Sequence, residues 1–416
     1  MPQPAPLPDA FAAAGGVLMW QAVVGPRAEP LGYRFFCSAT DMPDAGSPPP
    51  RVMRDTRLIQ QVAALSPGWR RRRQLFVELD AEALDVEALV QLGGQGANLI
   101  LDSTHRSEPA GAATRQAIDR LRAIGFAVFL EARDDGPWLS SLVGQAGSLA
   151  LRFGAAAIDA PRLQAAYPGV AWCALDVPTL DDMLLAQQMG CVAITGPVVS
   201  ARTSCLGGRF SPDGLRVTSL LSQLRQGAEI REMAGVLKQD VALSYRLLRY
   251  VNAAAWGMTT PISSIEHALL MLGRRPLYRW LMLLLLAGAP KAALTEVRGE
   301  ATLVRARFME LLGESLHVSQ RDELFVLGML SQLDTVLQVP VPRVLDTLPM
   351  SATVRAALGD AAPDDSPYAP YLALARAWDD GDSAAVLAGC ARLGLAPEAA
   401  ARCHLAAFEW VLENGQ

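Results

Sequence analysis

The first half of the chain alternates between short apolar runs and longer amphipathic stretches. Short runs rich in β-branched and aromatic side chains predict strands, and apolar spacing of three to four residues predicts helices. Strands are predicted at residues 17–23, 31–37, 75–79, 99–102, 127–131, 149–153, 172–175 and 192–195. Helices are predicted between most of them, at residues 56–65, 86–92, 114–124, 158–166 and 180–189. This alternation indicates parallel strands joined by helical crossovers, and eight such strands favour a closed TIM-type (β/α) barrel over an open sheet.

The second half of the chain has a helical pattern throughout. It begins after the turn signal SPDG at residues 211–214, where the strand-like runs stop. Amphipathic helices are predicted at residues 215–225, 230–238, 277–289, 301–316, 324–336, 340–345, 352–358, 368–378, 383–393 and 397–412. We therefore expect a disordered lead-in over residues 1–16, a barrel over residues 17–210 and an all-α domain over residues 211–416.

The most specific pattern in the sequence is a predicted helix, turn and helix over residues 236–273. Asp240 is placed to cap the first helix with its side-chain oxygen, and Asn252 stands at the end of that helix. Ser263 and Glu266 lie three residues apart ahead of an apolar run, which is the spacing of a capping box. These structural roles account for the polar residues without a substrate.

The same stretch resembles the HDOD domain, a helical relative of the HD phosphohydrolases that occurs in bacterial signalling proteins. The resemblance rests on Gln239-Asp240, LLRYVN at residues 247–252, Trp256-Gly257, ISSI at residues 262–265, Ala268-Leu269 and Leu272-Gly273. A second block, LGMLSQLD at residues 327–334, follows in the order of the family. The resemblance implies a helical signalling domain from about residue 215 onward.

Metal-dependent hydrolysis of the HD type would require a contiguous His-Asp pair. The four histidines of the sequence are followed by Arg106, Ala268, Val318 and Leu405. The sequence therefore contains no His-Asp pair and excludes HD-type catalysis, in agreement with the HDOD resemblance.

The order of segments over residues 17–200 resembles the EAL domain, a barrel that hydrolyses cyclic di-GMP. In particular, it is similar to the short EAL halves joined to HDOD domains in the YuxH-like family. The residues that carry this resemblance are Gln21, Gly32-Tyr33, Gly125-Phe126, Gly190-Cys191 and Gly196-Pro197. The activity of EAL domains requires acidic side chains at the strand ends, which hold two divalent cations.

Most of the positions that the resemblance assigns to metal or phosphate binding carry other residues here. The glutamate that names the family falls on Arg34, a fixed cation. The remaining site positions fall on Ser38, Glu78, Asp102, Glu131, Ala132, Arg152, Gly154 and Leu175, with Asp134-Asp135 nearby at a different offset. So few carboxylates would not hold two cations beside Arg34, which indicates a degenerate EAL domain. We expect no enzyme activity, no catalytic residue, no metal site and no cofactor.

A barrel mouth without metals can still bind a ligand. Gln21, Arg34 and Arg152 are the candidate ligand-binding residues there, and Arg133 could add to an anion site. The alternative is that these arginines are salt-bridged or ordinary surface residues.

The candidate interaction surface of the helical half consists of Tyr250, Asn252 and Trp256. The two aromatic rings could line a surface groove that receives a partner. The alternative is that they belong to the core and that Asn252 only hydrogen-bonds a helix end.

Composition narrows the classes of partner. A net charge of −5 weighs against wholesale binding of nucleic acid. The six cysteines are scattered, with no pair two residues apart, which favours reduced thiols in a cytoplasmic protein. The most apolar run, residues 280–289, is about half as long as a bilayer crossing, so no membrane span is expected.

These observations predict a non-catalytic signal-transduction protein. It would act through protein–protein interaction in a cyclic di-GMP-related or stress-signalling pathway, with an unidentified signalling protein or a second copy of the chain as partner. One alternative is a receptor that binds cyclic di-GMP or another nucleotide in the barrel. The other is a residual cyclic di-GMP phosphodiesterase.

Overall fold

The computed structural model describes fourteen stretches of the chain: residues 16–39, 51–65, 67–81, 84–93, 96–102, 109–132, 136–154, 160–200, 210–253, 262, 264–289, 294–348, 350–359 and 366–414. Several residues singled out in the sequence lie outside these stretches, namely Arg133, Asp134, Asp135, Trp256 and Ser263. The predicted lead-in also lies outside them, except for its last residue.

Eight strands form a closed barrel in which each strand pairs with its neighbours in chain order. They are β1 (Gly16–Val24), β2 (Pro30–Ala39), β3 (Gln74–Asp80), β4 (Ala97–Asp102), β5 (Ala127–Glu131), β6 (Gly147–Arg152), β7 (Ala171–Leu175) and β8 (Cys191–Thr195). All eight predicted strands are confirmed, and so is the TIM-type barrel.

Strand β1 differs from the expectation of an all-parallel barrel, because it runs antiparallel to both β2 and β8. All the other neighbouring strands are parallel. A tight turn joins β1 to β2, in which the backbone N–H of Gly25 donates to the carbonyl of Glu29 over 2.8 Å. A connection this short can only form a hairpin, whereas parallel strands need a long crossover. The prediction of parallel pairing is therefore corrected for β1.

Within its described stretches, the barrel segment of the chain contains one short 3₁₀-helix, Pro67–Arg71, and seven α-helices. They are α1 (Arg51–Ala64), α2 (Val86–Val90), α3 (Ala112–Ile124), α4 (Pro137–Ala146), α5 (Ala160–Ala166), α6 (Leu180–Gln188) and α7 (Pro197–Ser200). Helix α7 was not predicted, and neither was α4. It runs directly into β6 at Gly147, which has a left-handed φ of 72°, so no loop residues separate the helical pattern from the strand pattern.

The remaining helices form the second half of the chain. They are α8 (Pro212–Arg225), α9 (Ile230–Lys238), α10 (Val241–Ala253), α11 (Ile265–Leu272), α12 (Arg274–Ala287), α13 (Thr295–Leu312), α14 (Val318–Leu337), α15 (Val341–Thr347), α16 (Ala352–Leu358), α17 (Ala369–Asp380), α18 (Ser383–Leu393) and α19 (Pro397–Asn414). Within the described stretches, no single helix has the length and apolar character needed to cross a membrane. Two consecutive helices, Ser383–Leu393 and Pro397–Glu413, have that length and composition only when they are taken together, and the pair is bent by 106°.

The chain divides into two compact units that do not follow the predicted linear division at residue 210. The barrel unit contains the barrel, α13 and nearly all of α17–α19, and the helical unit contains α8–α12 and α14–α16. Contacts with the barrel explain why the late helices join it. The Tyr33 hydroxyl donates to the Glu300 carboxylate of α13 over 2.8 Å, and the rings of Trp20 and Phe408 of α19 lie 4.6 Å apart.

An aromatic cluster fixes α19 against the barrel. The His404 ring stacks on Trp20 at 5.4 Å and lies 5.1 Å from the Trp378 ring and 4.9 Å from the Phe308 ring. Aromatic pairs of this kind contribute about 0.5–1.5 kcal/mol each beyond their area burial. Burial among these rings lowers the pKa of His404 to about 3, so the imidazole is neutral in the folded protein at physiological pH.

Polar side chains order the helix ends of the helical unit. Asp240 caps α10 as predicted, and its Oδ1 accepts from the backbone N–H of Leu243 over 3.0 Å. Helix α11 is capped by Ser264, whose hydroxyl accepts from the backbone N–H of His267. The cap is therefore Ser264 and not the predicted Ser263, which lies outside the described residues, because the helix begins at Ile265 and its cap immediately precedes it.

Candidate functional site

The barrel interior is divided into an apolar layer and a polar layer. The buried apolar layer consists of Val23, Phe76, Ile100, Phe129, Ala150, Cys173, Leu175 and Ala193. Side chains alternate along a strand, so the next inward positions lie two residues farther toward the strand ends. Those positions carry Glu78, Asp102, Glu131, Arg152 and Thr195. The polar layer therefore lies at the carboxyl-terminal ends of the parallel strands, which is where TIM-type barrels place their sites.

Arg34 lies at the centre of this polar layer and is completely buried. Its Nε donates to Glu78 Oε2 over 2.8 Å, and its Nη1 donates to Asp176 Oδ1 over 2.6 Å and to Gln21 Oε1 over 3.1 Å. The guanidinium carbon also lies 4.3 Å from the centre of the Phe36 ring. Burial alone would lower the pKa of Arg34, but the carboxylates of Asp176 and Glu78 outweigh it and raise the pKa. Arg34 is therefore a permanent cation.

Arg152 joins the same carboxylates from β6. Its Nε and Nη2 donate to the two oxygens of Glu131 over 2.9 and 3.0 Å, a bidentate pair. Its Nη2 also donates to Glu78 Oε1 over 2.7 Å, and its Nη1 donates to Asp176. Burial opposes the charge, but these carboxylates raise the pKa of Arg152. Glu78 and Asp176 thus each bridge the two guanidiniums.

The mouth network is the set Arg34, Arg152, Glu78, Glu131 and Asp176. It contains two positive and three negative side chains, a formal balance of −1. Burial would raise the pKa of Asp176, but the guanidiniums of Arg34 and Arg152 lower it to about 2. The three acids outnumber the two arginines, and both guanidinium groups contact these carboxylates directly.

A pair of divalent cations does not fit this arrangement. Hard cations bind through carboxylate oxygens, but oxygens of Glu78, Glu131 and Asp176 already accept hydrogen bonds from guanidiniums. In the part of the chain that the structure describes, no group of three or more His, Cys, Asp or Glu is arranged to hold a metal ion. The arrangement resembles a metal site in which guanidinium groups, instead of metal ions, supply the positive charge beside the carboxylates.

The structure brings Gln21, Arg34 and Arg152 together, as their assignment to one site requires. It also adds Asp176, which sequence reasoning missed by placing the corresponding family position on Leu175. Asp176 directly follows β7 and has a positive φ of 53°. The available signal was an acidic residue immediately after the end of a barrel strand. The signal was hard to see, because Asp176 lies just beyond the strand and so does not follow its inward–outward alternation.

The three residues of the candidate interaction surface have different surroundings. Tyr250 packs at 6.2 Å from the ring of Trp280. The Asn252 amide makes two hydrogen bonds of 2.9 Å with the backbone of Ile262, donating to its carbonyl and accepting from its N–H. Asn252 therefore ties the end of α10 to the chain that leads into α11. Trp256 lies outside the described residues.

Comparison with known proteins identifies the helical region. Residues 215–345 match the sequence model of the HDOD domain. YuxH of Bacillus subtilis, an uncharacterized protein, is 26% identical over 252 residues, which cover 58% of this chain and 59% of YuxH. The cyclic di-GMP phosphodiesterase CdgJ of Vibrio cholerae is 31% identical over 160 residues, which cover 38% of this chain and 36% of CdgJ. The matches thus span about three fifths of YuxH and about one third of CdgJ.

Two solved structures are similar to this chain over 44% of its length. The PaMucR phosphodiesterase in complex with c-di-GMP is 17% identical with a TM-score of 0.36, covering 44% of this chain and 94% of that chain. The EAL domain of Xanthomonas citri FimX in complex with c-diGMP is 16% identical with a TM-score of 0.31, covering 44% and 85%.

The fold is thus a closed eight-stranded barrel followed by a helical region whose residues 215–345 match the HDOD domain. The chain is related to YuxH and CdgJ, and its predicted resemblance to the EAL–HDOD (YuxH-like) signalling proteins is confirmed.

Proposed function

We propose that this chain is a non-catalytic signal-transduction protein that acts by binding another protein in a cyclic di-GMP-related or stress-signalling pathway. The relation to CdgJ, a cyclic di-GMP phosphodiesterase, and the HDOD domain support the pathway. The absence of catalysis is supported by the mouth network.

The observation that carries the proposal is the position of the two guanidiniums. Two-metal hydrolysis requires cations that activate a water and stabilise the leaving oxygen. In the mouth network, Arg34 and Arg152 donate to the carboxylates that such cations would need. A guanidinium is fixed in its protonated state and has no coordination position for a water. The network therefore holds the barrel together without providing a nucleophile.

The same geometry argues against the receptor alternative. A phosphate would have to replace carboxylates on Arg34, which is completely buried, and would meet a network whose formal balance is already −1. Displacing these half-buried, hydrogen-bonded carboxylates would leave them without the Arg34 guanidinium at an energetic cost. We therefore expect cyclic di-GMP to bind weakly or not at all at this mouth.

Exposed apolar side chains of the helical unit support contact with a partner. Tyr245 and Leu270 are each 64% exposed, and Val236 and Met271 are also exposed. They lie on α9, α10 and α11, which pack against one another. Exposed apolar side chains grouped on neighbouring elements are characteristic of protein-binding surfaces.

The test of catalysis is a turnover assay of the full chain. Purified protein is incubated with cyclic di-GMP and either Mg²⁺ or Mn²⁺, with CdgJ as the positive control, and the linear dinucleotide is quantified. We expect product from CdgJ and none above the buffer control from this chain. Metal-dependent product that disappears in the Glu78→Gln variant would contradict the proposal.

The test of partner binding compares two exposed leucines. Full-length protein carrying Leu270→Asp should lose the cellular proteins that the unmodified chain captures in a pull-down. Leu184→Asp on α6 of the barrel unit should retain them, because Leu184 is comparably exposed at 54% but lies in the other unit. Equal capture by both variants would exclude this surface.

A further inference from the structure

The helical unit contains a cavity that neither the HDOD match nor the proposed function accounts for. It has a volume of about 320 Å³, is open to solvent on one side and is lined by α8, α12, α14 and the beginning of α16 together with the residues just before it. These helices pack against one another within the same compact unit. The cavity therefore belongs to the fold of this unit.

Positive charge predominates around the cavity. The charged residues that line it are Arg225, Arg274, Arg275, Arg279, Asp322 and Glu323. Four cations against two anions give a formal balance of +2, in contrast to the balance of −1 in the mouth network. A concave, partly desolvated wall strengthens the field of such charges.

Two of these charged residues have structural tasks. Arg274 donates to the carbonyls of Leu224 and Ala228 over 2.7 and 2.9 Å, at the end of α8. Glu323 accepts a hydrogen bond of 2.7 Å from the Tyr368 hydroxyl. Removing one cation and one anion from the count leaves the excess of positive charge unchanged.

Arg275, which lines the cavity, forms a long ion pair with Asp322. The Arg275 Nη1 and Asp322 Oδ2 atoms are 3.8 Å apart, which is beyond hydrogen-bonding distance, and both side chains are exposed. Such a pair is worth about 0–1 kcal/mol. The Arg279 guanidinium carbon lies 3.5 Å from the centre of the Phe325 ring, so the ring holds this cation in place.

Apolar side chains form the rest of the wall. They are Leu224, Phe325, Val326, Met350 and Val354, and all except Val326 are buried. Tyr278 also lines the cavity; burial raises its pKa to about 12, so its hydroxyl stays protonated. Ligand sites typically combine apolar walls with a few polar groups of this kind.

We propose that this cavity binds a small phosphate monoester attached to an aromatic ring, of the size of a nucleoside monophosphate. The dianionic phosphate matches the excess of two positive charges, and guanidiniums hydrogen-bond phosphate in a bidentate manner. The apolar wall receives the ring. The volume lies at the lower end of the range for small-molecule sites, about 300–1,000 Å³, and this favours one nucleotide over a dinucleotide.

The test uses the full-length chain and N-methylanthraniloyl-GMP as a fluorescent probe, with binding followed by anisotropy. We expect saturable binding that GMP displaces and guanosine does not, because guanosine lacks the phosphate. Binding should weaken as NaCl is raised, since exposed charges are screened by salt.

Matched variants locate the probe. Arg275→Met should weaken binding about tenfold or more, whereas Arg216→Met in the same unit should leave it unchanged. The two arginines are a close match, with side chains 58% and 61% exposed and each paired with an aspartate. Arg279→Lys keeps the charge but loses the planar stack on Phe325, so it should also weaken binding and should fold normally.

Three results would overturn the proposal. The first is the absence of saturable binding. The second is binding that is the same in the Arg275→Met, Arg279→Lys and Arg216→Met proteins. The third is displacement of the probe by guanosine as effectively as by GMP, which would show that no phosphate is recognised.

Discussion

Arginine has two different roles in the two units of this molecule. In the barrel unit, Arg34 is buried, Arg152 is half-buried, and together they face three carboxylates. In the helical unit, Arg275 is 58% exposed and contacts one distant carboxylate beside an open cavity. The number of neighbouring acids therefore decides the role of each arginine. Where acids equal or exceed the guanidiniums, arginine stabilises the fold; where they are fewer, it remains able to bind an anion.

The substitution Arg34→Met is expected to lower the free energy of unfolding most. Removing the completely buried guanidinium leaves Arg152 as the cation shared by Glu78 and Asp176, and breaking a buried pair in this way costs about 3–5 kcal/mol. The free energy of unfolding should be measured in urea by tryptophan fluorescence. The double variant Arg34→Met with Glu78→Gln should recover part of the loss, because one of the three negative charges around Arg152 is then absent. A loss below about 1 kcal/mol would remove the distinction between the two regions.

The barrel unit contains a titratable group outside the mouth network, His404, whose contribution to the free energy of unfolding also depends on pH. Its folded pKa of about 3 lies below the ordinary value of 6.5, so the unfolded chain binds more protons between these values. Stability should therefore fall as pH decreases from 7 toward 3, by on the order of 3 kcal/mol by pH 4. His404→Phe should flatten the profile over that interval. An unchanged profile would show that His404 is not buried as neutral imidazole.

The substitution Asp176→Asn tests the contribution of the mouth network to stability at lower pH. The pKa of Asp176 is depressed to about 2 in the folded protein, so its contribution is present above the ordinary value near 4 and is lost as pH falls through 2. Because the side chain is 31% exposed, we expect a loss of only about 1–2 kcal/mol at pH 7. Asn also tolerates the left-handed backbone at this position. The loss should vanish in urea unfolding near pH 2.

The smallest effect is expected at the cavity. Arg275→Met should change the free energy of unfolding by less than about 0.5 kcal/mol, since its pair with Asp322 is long and exposed. The measurement is the same urea titration at pH 7. A loss comparable to that of Arg34→Met would show that the cavity arginines also hold the fold together.

The sequence revealed the local elements well because periodicity and turn residues are local signals. All eight strands were predicted, and α9, α16 and α18 were predicted at their observed bounds. The orientation of β1 was not, because the strand pattern is the same in either direction and the short Gly25–Glu29 turn was overlooked. Nor was the packing of α19 on the barrel, since the contact between Trp20 and Phe408 joins residues from opposite ends of the chain.

The candidate site was predicted in part. Gln21, Arg34 and Arg152 were assigned to the mouth by resemblance, and the structure brings them together. Their hydrogen-bond partners could not be assigned from sequence, because the choice between an anion site and a salt-bridge network depends on where Glu78 and Asp176 point. The number of lost family residues also gave no hint that Glu78 and Glu131 still supply carboxylates at the mouth. These carboxylates accept hydrogen bonds from guanidiniums, where a metal site would have metal ions.

The central claim is that guanidiniums supply the positive charge that cations would supply at the barrel mouth. The most direct measurement is a calorimetric titration of EDTA-treated, full-length protein with MnCl₂. The account predicts no saturable heat that depends on Glu78. Binding of two Mn²⁺ per chain with micromolar affinity, abolished by Glu78→Gln, would contradict it.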